Sequence, residues 1–246
     1  GCDACRAAWL ANFPASDIPK ATEAMQLHKE AMRMLNTMEQ TCNVKAVFKL
    51  MDANADGDDL ILDGKKLPLL RQQTRVHDSD PYLCLSDFVR PLSQGIPDTV
   101  GGFATTIDET LEKRFEYDPY KHLLIQTLNE RLAEAAANKL HEMIRKEVWG
   151  YAKDEHLTRQ QLLNEEYQGI RPAVGYPSLP DLSVIFLLDE LIDIKSIGIR
   201  LTENGMMQPH ASVCGLMFSH PQARYFAVGK IDEHQLADYA ARRGKE

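Results

Sequence analysis

The segment Tyr167–Pro177, with the sequence YQGIRPAVGYP, is the stretch from which the fold and function of this chain are best inferred. Pro172 and Pro177 lack a backbone N–H and fix φ, so they disfavour helix and favour extended backbone. An extended segment leaves its peptide groups outside any helical hydrogen-bond pattern. Those groups can therefore pair with a ligand.

The side chains of this segment suit an amino-acid-like or nucleoside-like ligand. Arg171 offers a planar guanidinium that can bind a carboxylate through two hydrogen bonds. The backbone near Ala173 and Gly175 can pair with the edge of a heterocycle, and Gly175 lets a ligand approach closely. Tyr176 supplies a flat face with a polar tip. On these residues alone, a proline-stiffened loop with an arginine salt bridge is the favoured interpretation, and a ligand site is the alternative.

Apolar spacing and capping signals predict helices along much of the chain. Pro19 lies in the first turn of a helix predicted over residues 18–38, whose methionine stripe is typical of core packing. Further helices are predicted from Pro119 to before Trp149, after Thr158, over 182–191, and after Asp232, where Gln235 completes a capping box.

Three apolar runs predict β-structure. Residues 212–218 and 225–231 are β-prone and separated by a turn segment, which predicts a β-hairpin. Residues 60–62 resemble the return strand of a second hairpin that begins near Leu50. Because strands and helices do not alternate regularly, the order favours an α+β fold over a doubly wound parallel sheet.

Length and composition exclude several classes of protein. The chain has 246 residues, of which 44% are hydrophobic and 26% charged, as in ordinary globular proteins. The formal net charge of −8 disfavours a nucleic-acid-binding surface. No apolar run approaches the roughly 20 residues that cross a bilayer. We therefore expect one domain without nucleic-acid or membrane partners.

The five cysteines do not suggest a disulfide framework, because their number is odd and the chain is long. We therefore expect a reducing, cytoplasmic location. Cys2 and Cys5 form a CxxC pair without a second pair to complete a zinc site, so ordinary thiols are expected. The chain begins with Gly1 rather than Met, and we expect a trimmed or truncated amino terminus.

An acidic segment, residues 52–63, fits part of the calcium-loop template. Asp52, Asn54 and Asp56 supply oxygen ligands at alternate positions, and Asp63 closes the loop. The closing residue is Asp rather than the longer Glu, and no second loop exists. A solvated acidic turn is therefore the favoured interpretation, and a non-catalytic calcium-binding module is the alternative.

The sequence contains no HExxH, GxSxG, P-loop or GxGxxG motif. No nucleophile, general base or metal ligand set is therefore predicted, and none of the residues is assigned a catalytic role.

The Arg-x-x-x-Gly-Tyr core at Arg171, Gly175 and Tyr176 resembles the S-adenosylmethionine (AdoMet) signature of the activation, or reactivation, domain of cobalamin-dependent methionine synthase. Three further blocks resemble the same family in order and approximate spacing over the last three-quarters of the chain. They are LRQQ at 70–73 with LSDFV at 85–89, RLAE at 131–134 through LHE to WGY at 149–151, and ASV at 211–213 through FSHP to YFAV at 225–228.

The resemblance implies a C-shaped α+β single domain over residues 1–246, built on a twisted antiparallel sheet with flanking helices. It implies that Arg171 holds the methionine carboxylate of AdoMet and that the adenine lies against backbone near Ala173 and Gly175. Tyr225 and Phe226 would flank the ligand. Glu134 falls where the family has an acid near the ligand, and Tyr176 where the family's tyrosine faces the cobalamin.

The resemblance also implies partners and an activity. The chain would dock on the cobalamin-binding domain of methionine synthase and present the AdoMet methyl group to cob(I)alamin. That species is made by one-electron reduction of cob(II)alamin with a flavodoxin-like or other reductase. The chain would thus be a component of a methyltransferase of methionine biosynthesis, with the cobalt as the nucleophile. Asp108 and Glu130 fall near family acids that meet the displaced histidine of the cobalamin domain.

The sequence departs from the family at its start. The family has an aspartate, which holds the methionine amino group, several residues before the tryptophan matching Trp9. Gly1 stands near that position, and Asp3 is a candidate replacement. Either a free-standing activation protein or an excised fragment is implied. A degenerate relative that kept the fold but lost the ligand is a further alternative.

Overall fold

The computed structural model describes residues 10, 12–74, 77 and 79–244 of the chain. Their contacts form two compact units, one within Gly1–Asn43 and Ile107–Leu132 and the other within Val44–Thr106 and Ala133–Glu246. The prediction that residues 1–246 form a single domain is not tested by this division and stays a prediction.

Helices and strands occupy most of the described chain. The helices are α1 (Ile18–Thr41), α2 (Thr110–Arg114), α3 (Pro119–Met143), α4 (Arg159–Leu163), α5 (Val184–Ile192) and α6 (Glu233–Arg242). Short 3-10 turns occupy Ala15–Asp17, Leu85–Phe88, Leu92–Gln94 and Ile194–Ile197, and a π turn at Ile144–Val148 follows α3. The strands are β1 (Val44–Asp56), β2 (Asp59–Leu62), β3 (Lys65–Pro68), β4 (Asp98–Ile107), β5 (Arg200–Leu201), β6 (Met207–Gln208) and β7 (Ser212–Met217). None of the described helices combines the length and apolar character needed to cross a bilayer.

The main sheet has the strand order β3-β2-β1-β4-β7, and β5 and β6 form a separate two-stranded ribbon. β1, β2 and β3 pair antiparallel in turn, as do β4 and β7. Helix α5 packs on β1 and β7 and contributes Val184, Ile185, Leu188 and Leu191 to the main core. The predicted α+β class, with an antiparallel sheet and flanking helices, is confirmed.

The helix predictions are confirmed within a few residues at each end. Pro19 lies in the first turn of α1, and Met38 packs with α3 in the smaller unit, whereas Met32 is 45% exposed. The Thr158 hydroxyl accepts from the Gln161 amide at the start of α4. At the start of α6 the Asp232 carboxylate accepts from the Gln235 amide, which satisfies one of the free N–H groups of the first turn.

The predicted hairpin of residues 212–218 and 225–231 is wrong in its second strand. Residues 225–231 have no regular secondary structure, and β7 pairs instead with β4. The other edge of β7 is also occupied. Ile170 and Phe218 exchange two backbone hydrogen bonds of 2.9–3.0 Å, and the Val174 amide donates to the Cys214 carbonyl at 2.9 Å. No edge of β7 is therefore left for residues 225–231.

Gly215 of β7 makes this second pairing possible. A Cβ at position 215 would lie 2.2 Å from the Pro172 carbonyl oxygen and 2.8 Å from the Ala173 Cα. Only a residue without a side chain allows the two backbones to approach so closely. Gly215 thereby fixes the position of the segment that contains Arg171.

A buried polar cluster lies where α3 ends. Arg145, 1% exposed, donates through Nε and Nη2 to the Glu155 carboxylate at 3.0 and 2.6 Å. The Arg145 guanidinium also lies 4.3 Å from the centre of the Tyr167 ring. His141, 1% exposed, meets the same ring edge-on at 5.2 Å and hydrogen-bonds the Tyr151 hydroxyl at 3.3 Å. This cluster supports Tyr167, the first residue of the extended segment.

Gly215→Ala tests the close approach at β7. We expect it to lower the free energy of unfolding by about 1–3 kcal/mol, because the added methyl group must displace backbone. Gly101→Ala on β4 is the matched control, since its methyl group would meet the Met217 Cβ at 3.1 Å, a contact that a shift of a few tenths of an ångström relieves. Chemical denaturation measures both, and an equal or smaller loss in Gly215→Ala would contradict the assignment.

His141 is expected to make stability depend on pH in the weakly acidic range. Burial, with the Arg145 and Arg171 charges, holds the His141 pKa well below its ordinary value. The unfolded chain therefore binds the proton first, and stability falls as the pH drops below about 6.5. Between pH 7.5 and 5.5 the wild type should lose about 1.4 kcal/mol more than His141→Gln, as measured by urea denaturation. Parallel pH profiles for the two proteins would show that His141 is not responsible.

Candidate ligand-binding site

The extended segment alternates between the core and a cleft. Successive side chains of extended backbone point to opposite sides. Ile170 and Val174 are 2% and 8% exposed and belong to the main core, whereas Arg171 and Ala173 line the cleft. The Arg-x-x-x-Gly-Tyr motif therefore begins on a strand-like segment that pairs with the edge of β7.

The cleft has a volume of about 440 Å³, which is in the range of small-molecule sites. It is lined by Glu134, Glu165, Arg171, Pro172, Ala173, Tyr176, Pro177, Ser178, Tyr225 and Phe226. The structure thus brings together six of the seven residues predicted to bind the ligand, from α3, the extended segment and the irregular segment after β7.

Gly175 is the seventh predicted residue and does not line the cleft. Its φ is +86°, its amide donates to the Leu179 carbonyl at 2.8 Å, and a Cβ there would lie 2.8 Å from Leu182 Cδ2. Glycine is therefore required at this position for the turn that carries Tyr176, and Leu182 fills the space beside it. The Ala173 carbonyl accepts from the Tyr176 amide at 3.2 Å, while the Ala173 amide has no partner in the described part of the chain.

Arg171 is held at its backbone and at one guanidinium nitrogen. Its amide donates to the Tyr225 hydroxyl at 2.9 Å, and its Nη2 donates to Asn138 Oδ1 at 2.7 Å. The Glu134 carboxylate lies farther away, at 3.7 Å from Nη2, and the Arg171 side chain is 9% exposed. The guanidinium also lies over the Phe103 ring at 5.6 Å.

The guanidinium keeps hydrogen-bonding capacity that the described residues do not use. Nε is buried and has no partner among them, and Nη1 makes no hydrogen bond to any described group. A buried donor without a partner costs stability until a ligand or water satisfies it. Arg171 can therefore bind an additional anionic group.

Glu134 and Tyr176 meet at one side of the cleft. The Tyr176 hydroxyl donates to Glu134 Oε1 at 2.5 Å, although the Tyr176 side chain is about half exposed. Glu134 Oε2 is the oxygen nearest Arg171. One carboxylate thus contacts a tyrosine and a guanidinium at once.

Tyr225 and Phe226 form the opposite side. The Phe226 amide donates to Ser178 Oγ at 3.1 Å, the Ser178 hydroxyl donates to the Phe226 carbonyl, and the Val228 amide donates to the Pro177 carbonyl at 2.9 Å. Burial raises the pKa of the Tyr225 hydroxyl, although the Arg171 amide donates to it. Tyr225 therefore stays protonated at neutral pH.

Sequence reasoning missed Glu165, Ser178 and Asn138. Glu165 lies two residues before the extended segment, with a φ of +56°, and no residue spacing predicts its position in the cleft. Asn138 lies four residues after Glu134 on α3, so both lie on one helix face. That spacing was the available signal for Asn138.

The two other acids named from the family resemblance, Asp108 and Glu130, do not line the cleft. Asp108 belongs to the smaller unit, where partial burial acts to raise its pKa, but hydrogen bonds from the Asn43 and Thr110 amides lower it overall. Glu130 is exposed on α3. Trp9 and Asp3 lie outside the described residues, so the replacement of the amino-group ligand stays a prediction.

The calcium alternative falls on the β1–β2 hairpin. Asp63, at the end of the proposed loop, lies with Gly64 in the two-residue turn between β2 and β3, where their φ values are +47° and +80°, and Asp63 also pairs with Lys49 at 2.7 Å. The Asn54 amide group donates to the Arg90 and Ile96 carbonyls. The described residues contain no group of three or more His, Cys, Asp or Glu that could hold a metal ion.

Comparison with known proteins identifies the family of the chain. Residues 12–244 match the family described as vitamin B12 dependent methionine synthase, activation domain. A crystal structure of the MetH reactivation domain bound to AdoHcy is similar, with a TM-score of 0.85 and 40% sequence identity over 92% of this chain and 74% of that chain. The resemblance that began with Arg171, Gly175 and Tyr176 is thus confirmed over nearly the whole sequence. The chain belongs to the family of activation domains of vitamin B12 dependent methionine synthase.

Proposed function

We propose that the chain binds AdoMet in the cleft around Arg171 and supports the reductive methylation that reactivates cobalamin-dependent methionine synthase. The observation that carries the proposal is the largely buried guanidinium of Arg171, which keeps unused donors in a cleft of ligand size. The similarity to a reactivation domain bound to AdoHcy, the demethylated form of AdoMet, supports it.

The charges of the cleft suit this ligand. Glu134 and Glu165 are acidic and Arg171 is basic, so these lining residues have a formal net charge of −1. AdoMet carries one carboxylate, one ammonium group and one sulfonium, and is therefore a net cation. Arg171 takes the carboxylate, and the two acids face the positive groups.

The flat groups of the cleft suit the rest of the ligand. Tyr225 and Phe226 flank the adenine, and the unpaired Ala173 amide donates to one of its ring nitrogens. Tyr176, half exposed beside Glu134, faces the partner domain.

The chemistry needs no nucleophile from this chain. Cobalamin, held by a partner domain and reduced by one electron from a flavodoxin-like or other reductase, supplies a nucleophilic cobalt. The reduced cobalamin would accept the methyl group as the carbon–sulfur bond breaks, and the electron pair of that bond would stay on the sulfur of AdoHcy. The residues of this chain bind and orient the sulfonium and exclude competing water. A cytoplasmic location stays an expectation from the sequence.

Arg171→Ala tests the ligand assignment. We expect AdoMet to bind about 10- to 150-fold more weakly, because a charge-assisted hydrogen bond contributes about 1.5–3 kcal/mol. Isothermal titration calorimetry measures the change, with Arg224→Ala as the control, since Arg224 is exposed and does not line this cleft. Absence of AdoMet binding to the wild type, or equal affinity in Arg171→Ala, would reject the proposal and favour a relative that has lost its ligand.

Glu134→Gln tests the role of the cleft charge. We expect it to weaken AdoMet about threefold more than it weakens AdoHcy, because only AdoMet carries the sulfonium charge. Glu142→Gln, on the same helix but outside the cleft, should change neither affinity. Titration of both ligands gives the ratio of their dissociation constants. A ratio in Glu134→Gln equal to that of the wild type would exclude an electrostatic role for this acid.

Reactivation itself is tested with a cobalamin-binding domain, AdoMet and a one-electron donor. The visible spectrum should convert from the cob(II)alamin form to the methylated form only when this chain is present. Arg171→Ala should slow the conversion at limiting AdoMet. Conversion at the same rate without the chain would contradict its role.

A further inference from the structure

We infer that Asn138 is a positioning residue for Arg171 and thereby sets the preference of the cleft for ligands that carry a carboxylate. The inference rests on the proposed function and extends it to a residue outside the family motif.

The contacts of Nη2 carry the inference. Asn138 Oδ1 accepts from Nη2 at 2.7 Å, whereas the nearest Glu134 oxygen lies at 3.7 Å. Because Asn138 and Glu134 are four residues apart on α3, they present a neutral and a charged acceptor to the same guanidinium nitrogen. The shorter contact is the neutral one.

The neutrality of Asn138 matters for binding. An amide oxygen fixes the guanidinium without cancelling its charge, whereas a close ion pair with Glu134 would compete with the carboxylate of a ligand. Nη2 carries two N–H bonds, and Asn138 accepts from one of them. The second N–H of Nη2 and those of Nη1 remain for a bidentate contact with a carboxylate.

Removal of the acceptor lets the guanidinium turn toward Glu134. Among the described residues, the backbone bond of Arg171 to Tyr225 and its contact with Phe103 are what remain to resist that movement. The loss should affect the carboxylate of the ligand and leave the nucleoside contacts intact. Asn138 therefore acts through Arg171 and not by touching the ligand.

The test uses two ligands, AdoMet and decarboxylated AdoMet, which lacks only the carboxylate. In Asn138→Ala we expect the dissociation constant for AdoMet to rise about fivefold and that for decarboxylated AdoMet to change less than twofold. Asn138→Gln keeps a neutral amide acceptor and should restore most of the preference. Lys139→Ala, the exposed neighbour on the same helix, is the matched control. Thermal melts show that each variant is folded.

A double-mutant cycle decides whether the effect runs through Arg171. In the Arg171→Ala background, Asn138→Ala should have no further effect on AdoMet binding. Additive losses, equal losses for both ligands, or equal losses in the Ala and Gln variants would overturn the inference. If the wild type binds AdoMet and Arg171→Ala weakens it while Asn138→Ala does not, the positioning role is wrong and the proposed function stands. If the wild type does not bind AdoMet, the proposed function is wrong, and so is the inference that rests on it.

Discussion

The backbone pairing between the extended segment and β7 is the constraint on which the site depends. β7 is hydrogen-bonded on one edge to β4 and on the other to residues 170–174. The second pairing requires the missing side chain of Gly215, where the Pro172 carbonyl lies within 2.2 Å of a hypothetical Cβ. With that register fixed, Ile170 and Val174 enter the core and Arg171 and Ala173 face the cleft.

The helices were predictable because their signals are local. Pro19, Thr158 and Asp232 each mark a helix start through φ restriction or capping, and each effect involves only neighbouring residues. The β1–β2 hairpin was predictable for the same reason, since Gly57 in its turn adopts the positive φ that tight hairpin turns use.

The partner of β7 was not predictable from local signals. Residues 225–231 have the composition of a strand, but strand pairing depends on which edges are free. Both edges of β7 are taken by segments distant in sequence, so residues 225–231 bind through Ser178 and Pro177 instead. Tyr225 and Phe226 were still expected at the cleft that they line, because the family resemblance rests on their identity and not on their secondary structure. For Asn138 the only signal was its helical spacing from Glu134, and Glu165 had none, so its position in the cleft comes from the structure.

The arrangement of charges also explains how the cleft is stable without a ligand and still suited to one. Arg171 is largely buried, and a buried cation needs a nearby counter-charge. Glu134 supplies it at 3.7 Å while accepting from the Tyr176 hydroxyl, and Asn138 accepts from Arg171 Nη2 at 2.7 Å. In the proposed complex the carboxylate of the ligand would replace the counter-charge of Arg171 and leave Glu134 facing the positive groups of the ligand. The same acid would thus balance a cation in both states, first that of the protein and then that of the ligand.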